Sequence, residues 1–433
     1  MKNIVIGSGP AGRLASYELG KLGQDVTLIE KNHIAGTCLN EGCMVVCALT
    51  DITKFIAANN LFNTHGFIKS SLEISYEGIV EKITETQEIL RKLNQEENES
   101  VGNEIIYGEA SIDENEINVN GESLEYDNLL IATGARPYIP DVPGAEYGLT
   151  SKDVLRIDDV PEKLVIVGGG IIACEIANIY STLGSEVTVL ARSKFLKDIN
   201  DRQVNEYIQE KLLGNVKLYE NVEISEVKRN SVISADQEEF EGTPFFATGR
   251  VANSEIAKGF VQLNENNTIK VDDMMRTSRD NVYAAGDVTG GIQLTPIARK
   301  EGICAARNMA NFPNKISYEK VPQALSLNME VSFVEDKTLP ENDETVNISV
   351  PGSVGPGAFW HLLSHDTGFS KISFDGNKNK IKKITSISPS SVSDIAYLSY
   401  LMRENYDLDD YSDFIEIHPS TDANYKIIKN MWL

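Results

Sequence analysis

The sequence has few cysteines and no long uninterrupted apolar run. Only 5 of its 433 residues are cysteine, too few for the disulfide framework of a small secreted protein. The longest apolar stretch, residues 164–180, is broken by three glycines and by Glu175, which excludes a membrane-spanning helix. No charged leader precedes the apolar segment Ile4–Ile6, so no signal peptide is expected. These absences predict a cytoplasmic protein in which any disulfide is catalytic.

Basic residues are also scarce relative to acidic ones. The chain has 40 Lys and Arg against 64 Asp and Glu, for a formal net charge of −24, and it contains no Lys/Arg cluster. Nucleic-acid binders need a basic surface that displaces counterions from phosphates, so a nucleic-acid partner is excluded. A hydrophobic content of 41% is ordinary for a folded protein, and the length predicts about two to four domains.

Two segments repeat one pattern. The sequence IVIGSGPAGRLASYELGKLGQDVTLIEK, which begins at Ile4, is matched by VIVGGGIIACEIANIYSTLGSEVTVLAR, which begins at Val165. Each predicts a strand, a glycine turn, a helix and a second strand. Gly7 would form the tight turn, Gly9 would let the backbone approach a pyrophosphate, and Gly12 would let the helix pack on the strand. The corresponding residues in the second copy are Gly168, Gly170 and Ala173.

The residue that ends the second strand differs between the two copies. Glu30 can accept a hydrogen bond from a ribose 2′-hydroxyl. Its counterpart is Ala191, followed by the cations Arg192 and Lys197. A cation in place of the carboxylate favours a 2′-phosphate, so the second copy is predicted to prefer NADP(H) over NAD(H).

A cysteine pair follows the first copy. Cys38 and Cys43 are five residues apart, which on a regular helix means about 500° of rotation and about 7.5 Å of rise. That exceeds disulfide reach, so a bridge requires a local turn, for which Asn40 and Gly42 are suitable. The alternative is a pair of buried free cysteines.

The segment GTCLNEGC (residues 36–43) resembles the redox-active site of the pyridine nucleotide–disulfide oxidoreductases, the family of dihydrolipoamide dehydrogenase, glutathione reductase and mercuric reductase. Further motifs follow in the family's order: ATG at 132–134, Glu175, ATGR at 247–250 and AAGD at 284–287. The resemblance implies an α/β fold with two Rossmann-like dinucleotide-binding domains and a C-terminal α+β dimerisation domain. The expected domains are FAD-binding at 1–149 and 250–317, NAD(P)-binding at 150–249, and dimerisation at 318–433.

The resemblance also implies a homodimer that transfers electrons between NAD(P)H, FAD, a Cys38–Cys43 disulfide and a small-molecule or protein-bound dithiol/disulfide. Cys43 would lie beside the flavin, Cys38 would exchange with substrate, and His418 of the partner subunit would supply the proton. The expected cofactor-binding residues are Gly7, Gly9, Gly12, Glu30, Lys31, Thr37, Thr133, Gly134, Asp287, Thr295, Gly168, Gly170, Ala173, Arg192, Lys197 and Gly249.

The sequence departs from the family pattern at three places. Cys47 stands where relatives carry a lysine that pairs with the counterpart of Glu175. It could be a third redox thiol, a soft-metal ligand with the other two cysteines, or a small apolar substitute. Ala423 replaces the glutamate that orients the histidine, with Asp422 beside it as a substitute. No cysteine follows Cys304, which argues against mercuric reductase and the large thioredoxin reductases.

These departures leave two alternative functions. One is a flavin NAD(P)H reductase whose acceptor is a metal, a quinone or dioxygen. The other is a low-turnover flavin redox sensor. Outside the motifs, the periodicity predicts a helix from about Tyr76 to Gln95, with Ile79, Ile83, Ile89, Leu90 and Leu93 on its apolar face, and a helix at about Ser393–Glu404.

Overall fold

A parallel sheet with a glycine turn organises the first part of the chain. The computed structural model describes residues 1–114, 116–199, 201–339, 345–375, 380–413, 415, 417–419 and 423–430. The elements in this part are β1 (Lys2–Ile6), α1 (Pro10–Lys21), β2 (Asp25–Glu30), α2 (Gly36–Asn40), α3 (Cys43–Thr64), α4 (Tyr76–Glu99), β3 (Glu104–Tyr107), β4 (Ala110–Asp113), β5 (Glu116–Val119), β6 (Glu122–Glu125), β7 (Asn128–Ile131) and β8 (Ala135–Pro137). The short strands β4, β5 and β6 form a separate antiparallel meander.

The middle of the chain builds a second unit on the same plan. Its elements are β9 (Lys163–Val167), α5 (Ile171–Leu183), β10 (Glu186–Ala191), α6 (Arg202–Tyr207), β11 (Lys217–Glu220), β12 (Ile224–Lys228), β13 (Ser231–Ser234), β14 (Glu239–Glu241), β15 (Thr243–Phe246) and β16 (Arg250–Ala252). A parallel sheet has the order β11-β10-β9-β15, and β12-β13-β14 form an antiparallel sheet. Strand β16 pairs with β8 and so links the second unit back to the first.

The chain then returns to the first unit. Strand β17 (Val282–Ala284) adds to β7 in parallel, which completes a sheet of order β17-β7-β1-β2-β3. Helix α7 (Thr295–Met309) then packs against α1. The approach is close, because a Cβ on Gly302 would lie 2.1 Å from the carbonyl oxygen of Ala11.

The C-terminal part is an antiparallel sheet with helices. Its elements are β18 (Gln323–Leu325), β19 (Glu330–Glu335), β20 (Thr345–Pro351), β21 (Phe369–Asp375), β22 (Lys380–Ser388), α8 (Ser391–Arg403) and α9 (Asn424–Asn430). The strand order is β18-β19-β22-β21-β20. The expected fold class, two Rossmann-like units and an α+β C-terminal part, is confirmed. The helix expected near residue 393 is present as α8. Within the described ranges, no helix is long and apolar enough to span a membrane.

The predicted apolar face of α4 is partly wrong. Ile83 is buried, but Ile89 and Leu93 are 62% and 55% exposed. The buried position between them is taken by the polar Gln87. Its side-chain amide donates to the carbonyls of Leu39 (2.9 Å) and Asn40 (3.2 Å). These carbonyls end α2 and need donors, so α4 turns a hydrogen-bonding face inward rather than its most apolar one.

The helix approaches its strand more closely at the first glycine turn than at the second. A Cβ on Gly12 would lie 1.8 Å from the carbonyl oxygen of Gly7, so only glycine fits at this position. In the second unit the corresponding residue is Ala173, which is fully buried. The first turn therefore holds its helix closer to its strand than the second turn does.

We expect Gly12→Ala to destabilise the protein by about 1–3 kcal/mol, because its methyl group would press on a backbone carbonyl that cannot rotate away. Urea unfolding of the flavin-free chain followed by circular dichroism measures this change. Gly9→Ala is the matched control, since no atom lies within 4 Å of its Cβ. Its unfolding midpoint should equal that of the wild type, although it should bind FAD less tightly. Equal unfolding midpoints for both variants would contradict the packing argument.

Candidate active site

A large cleft opens at the carboxyl ends of the first sheet. Its volume is about 1570 Å³, and it begins where β1, β2, β7 and β17 end. Ligands of parallel α/β sheets bind at this edge. The predicted FAD-side residues that line it are Gly7, Gly9, Glu30, Lys31, Thr37, Cys38, Cys43, Thr133, Gly134, Asp287 and Thr295. Gly12 lies buried behind the turn, where its role is packing.

Glu30 is held rigidly at the end of β2. It is 7% exposed, and its Oε2 accepts hydrogen bonds from the backbone N–H (2.9 Å) and the hydroxyl (2.6 Å) of Ser8. Its Oε1 accepts from the backbone N–H of Asn32 at 2.8 Å. A carboxylate fixed in this way at the mouth of a glycine turn fits the ribose of a dinucleotide. The sequence analysis missed Ser8, whose role depends on this contact.

The opposite wall of the cleft carries a second carboxyl group and two hydrogen bonds between neighbouring segments. Asp287 lies 3.7 Å from Nε of Arg250, and burial raises the pKa of Asp287. The hydroxyl of Thr133 donates to the carbonyl of Asn253 at 2.7 Å, and the Asn253 amide donates back to Thr133. These contacts set the spacing of the wall that faces Glu30.

The second glycine turn lies away from this cleft. Gly168 has a φ of +135° and Gly170 caps α5, while Arg192 and Lys197 are exposed beyond the end of β10. Gly249 follows β15 with a φ of +110°. Only the side of α5 that carries Ile171 reaches the first cleft.

The two cysteines lie on different helices with a break between them. Helix α2 ends at Asn40, and Gly42 has a φ of −138° and a ψ of −122° before α3 begins at Cys43. The Asn40 amide donates to the carbonyls of Ile34 (3.1 Å) and Gly36 (2.8 Å). The expected turn is therefore present, and the thiols are free and close to each other.

Thr295 joins the two thiols. Its hydroxyl donates to the sulfur of Cys38 at 3.2 Å and lies 3.6 Å from the sulfur of Cys43. The sequence analysis had assigned Thr295 to cofactor binding and missed these contacts. No local signal could have revealed them, because Thr295 is 257 residues from Cys38.

The hydrogen bonds divide the pair into a thiolate and a thiol. The thiol of Cys43 donates to Cys38 and lowers the pKa of Cys38 to about 6, with Thr295 and the charge of Arg299 acting in the same direction. The same hydrogen bond, together with burial, raises the pKa of Cys43. At neutral pH Cys38 is therefore the sulfur that carries the thiolate, and Cys43 keeps its proton.

Cys47 lies one turn along α3 from Cys43, and it lines the cleft. Burial, followed by the neighbouring Cys43 and Glu175, raises the pKa of Cys47, so it is a protonated thiol at neutral pH. Among the residues that the structure describes, no three His, Cys, Asp or Glu side chains are placed to hold one metal ion. The three cysteines are not grouped in this way, since Cys38 lies on α2 whereas Cys43 and Cys47 lie on α3.

Glu175 is a half-buried carboxyl group that lines the cleft beside Cys47. Its Oε1 accepts a hydrogen bond from the backbone N–H of Ser326 at 2.8 Å, yet burial raises the pKa of Glu175 to about 7. A cation at position 47 would oppose this rise, and a thiol does not. The nearest lysine along α3, Lys54, pairs with Glu330 instead, at 2.8 Å.

His418 does not reach the cleft of its own chain. It is exposed and is not among the cleft-lining residues. Ala423 is buried, and its backbone N–H donates to the hydroxyl of Ser370 at 3.3 Å. Asp422, the suggested substitute for the missing glutamate, lies outside the described residues.

The fold and the site together define a flavoprotein with two dinucleotide-binding units and a redox dithiol. The family model described as "Pyridine nucleotide-disulphide oxidoreductase" matches residues 1–302, and the chain belongs to this family. It is an FAD-dependent oxidoreductase that exchanges electrons between a pyridine nucleotide and a disulfide.

Comparisons with individual proteins agree with this family membership. An uncharacterised protein of Methanocaldococcus jannaschii is 33% identical over 98% of this chain and 97% of its own length. A dihydrolipoyl dehydrogenase of Chlamydia muridarum is 27% identical over 96% of this chain and 93% of its own. The solved structure of the HOCl-induced flavoprotein disulfide reductase RclA from Escherichia coli covers 100% of both chains with a TM-score of 0.87 at 22% identity, which shows the same fold.

The raised pKa of Glu175 predicts a loss of stability as pH rises. The folded state holds the proton up to about pH 7, whereas the unfolded chain releases it near pH 4.3, so unfolding becomes easier across that interval. Relative to Glu175→Gln, the wild type should lose roughly 3 kcal/mol of unfolding free energy between pH 4.5 and pH 7.5. Urea unfolding across this range measures the difference. The exposed Glu223→Gln variant should keep the wild-type pH dependence, and a wild type that matches Glu175→Gln at every pH would contradict the assignment.

Proposed function

We propose that this enzyme uses NADPH to reduce a small-molecule or protein-bound disulfide, in the manner of a dihydrolipoamide dehydrogenase, through a Cys38–Cys43 centre. The observation that carries the proposal is the pair of thiols bridged by Thr295 at the edge of the cleft. One sulfur is a nucleophile at neutral pH and the other stores a proton, as thiol–disulfide exchange requires.

The exchange balances within the two cysteines. The Cys38 thiolate attacks one sulfur of the substrate, the substrate S–S bond breaks, and the leaving thiolate takes a proton. Cys43 then loses its proton and attacks the sulfur of Cys38, which releases the second substrate thiol and forms the Cys38–Cys43 disulfide. The hydride of NADPH supplies two electrons and one proton, which reduce the Cys38–Cys43 disulfide back to one thiolate and one thiol.

The cleft fits FAD, which when bound would pass electron pairs between the nicotinamide and the cysteines. Glu30 would accept the hydroxyl of the adenosine ribose, and the backbone at Gly9 would approach the pyrophosphate. Lys31, Thr37, Thr133, Gly134, Asp287 and Thr295 would contact the rest of the cofactor. We propose FAD-binding regions at 1–149 and 250–317, an NAD(P)-binding region at 150–249 and a dimerisation region at 318–433.

The preference for NADPH rests on the end of β10. Ala191 removes the carboxylate that selects a free 2′-hydroxyl, and the exposed Arg192 and Lys197 follow it. Gly168, Gly170, Ala173 and Gly249 would form the rest of the nucleotide site. Two cations near the 2′ position favour a phosphate there.

A homodimer supplies the proton in this proposal. His418 is exposed and remote from its own cleft, which supports a role in the cleft of a partner subunit. Its imidazole would protonate the leaving thiolate of the substrate. A cytoplasmic location accords with the low cysteine content and with a catalytic dithiol that must be kept reduced.

The central test is Cys38→Ser. This variant should lose at least about 1000-fold in NADPH-dependent disulfide reduction, because the attacking sulfur is gone. Its transfer of electrons from NADPH to an artificial dye should remain. Equal disulfide reduction by Cys38→Ser and wild type would overturn the proposal and favour an enzyme whose acceptor is a metal, a quinone or dioxygen. Oxidation of a single NADPH equivalent with every acceptor would favour a redox sensor.

Mixed dimers test the role of His418. A dimer of one Cys38→Ser chain and one His418→Gln chain has one site with both groups intact if the histidine acts across the interface. Refolding the two chains together in equal amounts should therefore restore about a quarter of the wild-type activity, since half of the dimers are mixed and each has one competent site. Activity no higher than that of the parent variants would contradict action across the interface.

Arg192→Ala tests the nucleotide preference. Loss of the cation should raise the KM for NADPH about tenfold, because a charge-assisted contact to the 2′-phosphate disappears, while the KM for NADH stays within about twofold. Steady-state kinetics with both nucleotides measures this change. Arg229→Ala, which changes an exposed arginine in the same region, is the control, and parallel changes for both nucleotides would contradict the preference.

A further inference from the structure

We infer that the disulfide substrate carries an anionic group, a carboxylate or a phosphate, and that Arg13 and Arg299 bind this group beside Cys38. The inference rests on the proposed function, since it names the substrate class of the same site. Lipoamide, which is uncharged, would then be a poorer substrate than an anionic disulfide.

Arg299 is placed beside Cys38 by helix α7. The helix begins at Thr295, whose hydroxyl donates to the sulfur of Cys38 at 3.2 Å. Arg299 is four residues further on, so it lies on the same face one turn away. Its charge acts on Cys38 directly and favours the thiolate. The side chain is exposed, and no carboxylate in the described part of the chain lies within 4 Å of it.

Arg13 approaches the same thiol from helix α1. It follows Gly12, and α1 packs closely on α7. The side chain is only 12% exposed and forms an ion pair with Glu97. Its Nε–H is buried without an acceptor among the described residues. The guanidinium also interacts electrostatically with both Arg299 and Cys38.

Among the residues that the structure describes, carboxylates do not balance the positive charge of Arg13 and Arg299. Two guanidinium groups face one carboxylate, that of Glu97, and they repel each other. The net charge of the chain is −24, so an uncompensated positive site beside the nucleophile is not a consequence of composition. An anion would accept hydrogen bonds from the guanidinium group of Arg299 and reduce the repulsion between Arg299 and Arg13.

These arginines are not part of the predicted FAD site. Cys38, Gly9 and Thr295 line the cleft, but Arg13 and Arg299 do not. Both arginines act electrostatically on Cys38, the sulfur that attacks the substrate disulfide in the proposed function.

The first experiment compares three disulfides that differ in terminal charge: 3,3′-dithiodipropionate (anionic), bis(2-hydroxyethyl) disulfide (neutral) and cystamine (cationic). With the holoenzyme and saturating NADPH, kcat/KM should be highest for the anion, by roughly fivefold over the neutral compound, and lowest for the cation. The preference should shrink as salt is added.

Arg299→Gln should remove most of this preference. Reduction of the neutral disulfide should slow because the Cys38 thiolate loses a supporting charge, and kcat/KM for the anionic disulfide should fall about fivefold further than that. Arg307→Gln is the matched control. Arg307 lies two turns further along α7, is paired with Glu18 at 2.9 Å, and should leave the preference unchanged. Arg299 is chosen over Arg13 because loss of Arg13 would leave Glu97 without its partner.

A second measurement does not depend on turnover. Alkylation of Cys38 in the NADPH-reduced enzyme is followed with iodoacetate, which is anionic, and with iodoacetamide, which is neutral. The rate with iodoacetate divided by the rate with iodoacetamide should fall about fivefold in Arg299→Gln. The same ratio should stay at its wild-type value in Arg307→Gln.

The outcomes separate this inference from the proposed function. Equal kcat/KM for the three disulfides, or an unchanged alkylation ratio in Arg299→Gln, would overturn the anion site while leaving disulfide reduction intact. Failure of the wild type to reduce any of the three, with dye reduction retained, would overturn the proposed function and the substrate class with it.

Discussion

The hydrogen bonds between Thr295, Cys38 and Cys43 are the interaction on which the site depends. They join α7 to α2 and α3, which lie about 250 residues earlier in the sequence, at one edge of the cleft. They also decide which sulfur loses its proton, because the donor to a thiolate must itself stay protonated. The break at Gly42 is required for this arrangement, since a continuous helix would carry the two sulfurs out of contact.

The absence of a lysine at position 47 changes the electrostatics around Glu175. Glu175 is half-buried beside the thiol of Cys47, and its neutral form is favoured up to about pH 7. Lys54 does not compensate, because its ammonium group is paired with Glu330. A flavin bound here would meet less positive charge than in relatives with the lysine, which disfavours its anionic reduced form. Positive charge instead acts on Cys38, from Arg13 and Arg299.

The sequence predicted the elements whose pattern is local. The glycine turns, the strands that flank them, the turn between the cysteines and the helix that became α8 all follow from nearest-neighbour geometry. The predicted helix is present as α4, but its buried face differs from the predicted one, since Ile89 and Leu93 are exposed and Gln87 is buried. Apolar periodicity could not reveal that the end of α2 needs a donor, because that need arises from packing between two helices.

What the sequence by itself determined is the fold class, the two nucleotide-binding units and the candidate redox cysteines. Glycine at positive φ, short apolar strands and fixed spacing are properties of neighbouring residues, so they can be recognised without a structure. Only the tertiary structure decided which thiol is ionised, which groups raise the pKa of Cys47, and that two arginines from different helices act on Cys38. These depend on through-space distances between side chains far apart in the chain, and electrostatic and hydrogen-bond energies change steeply over a few ångströms.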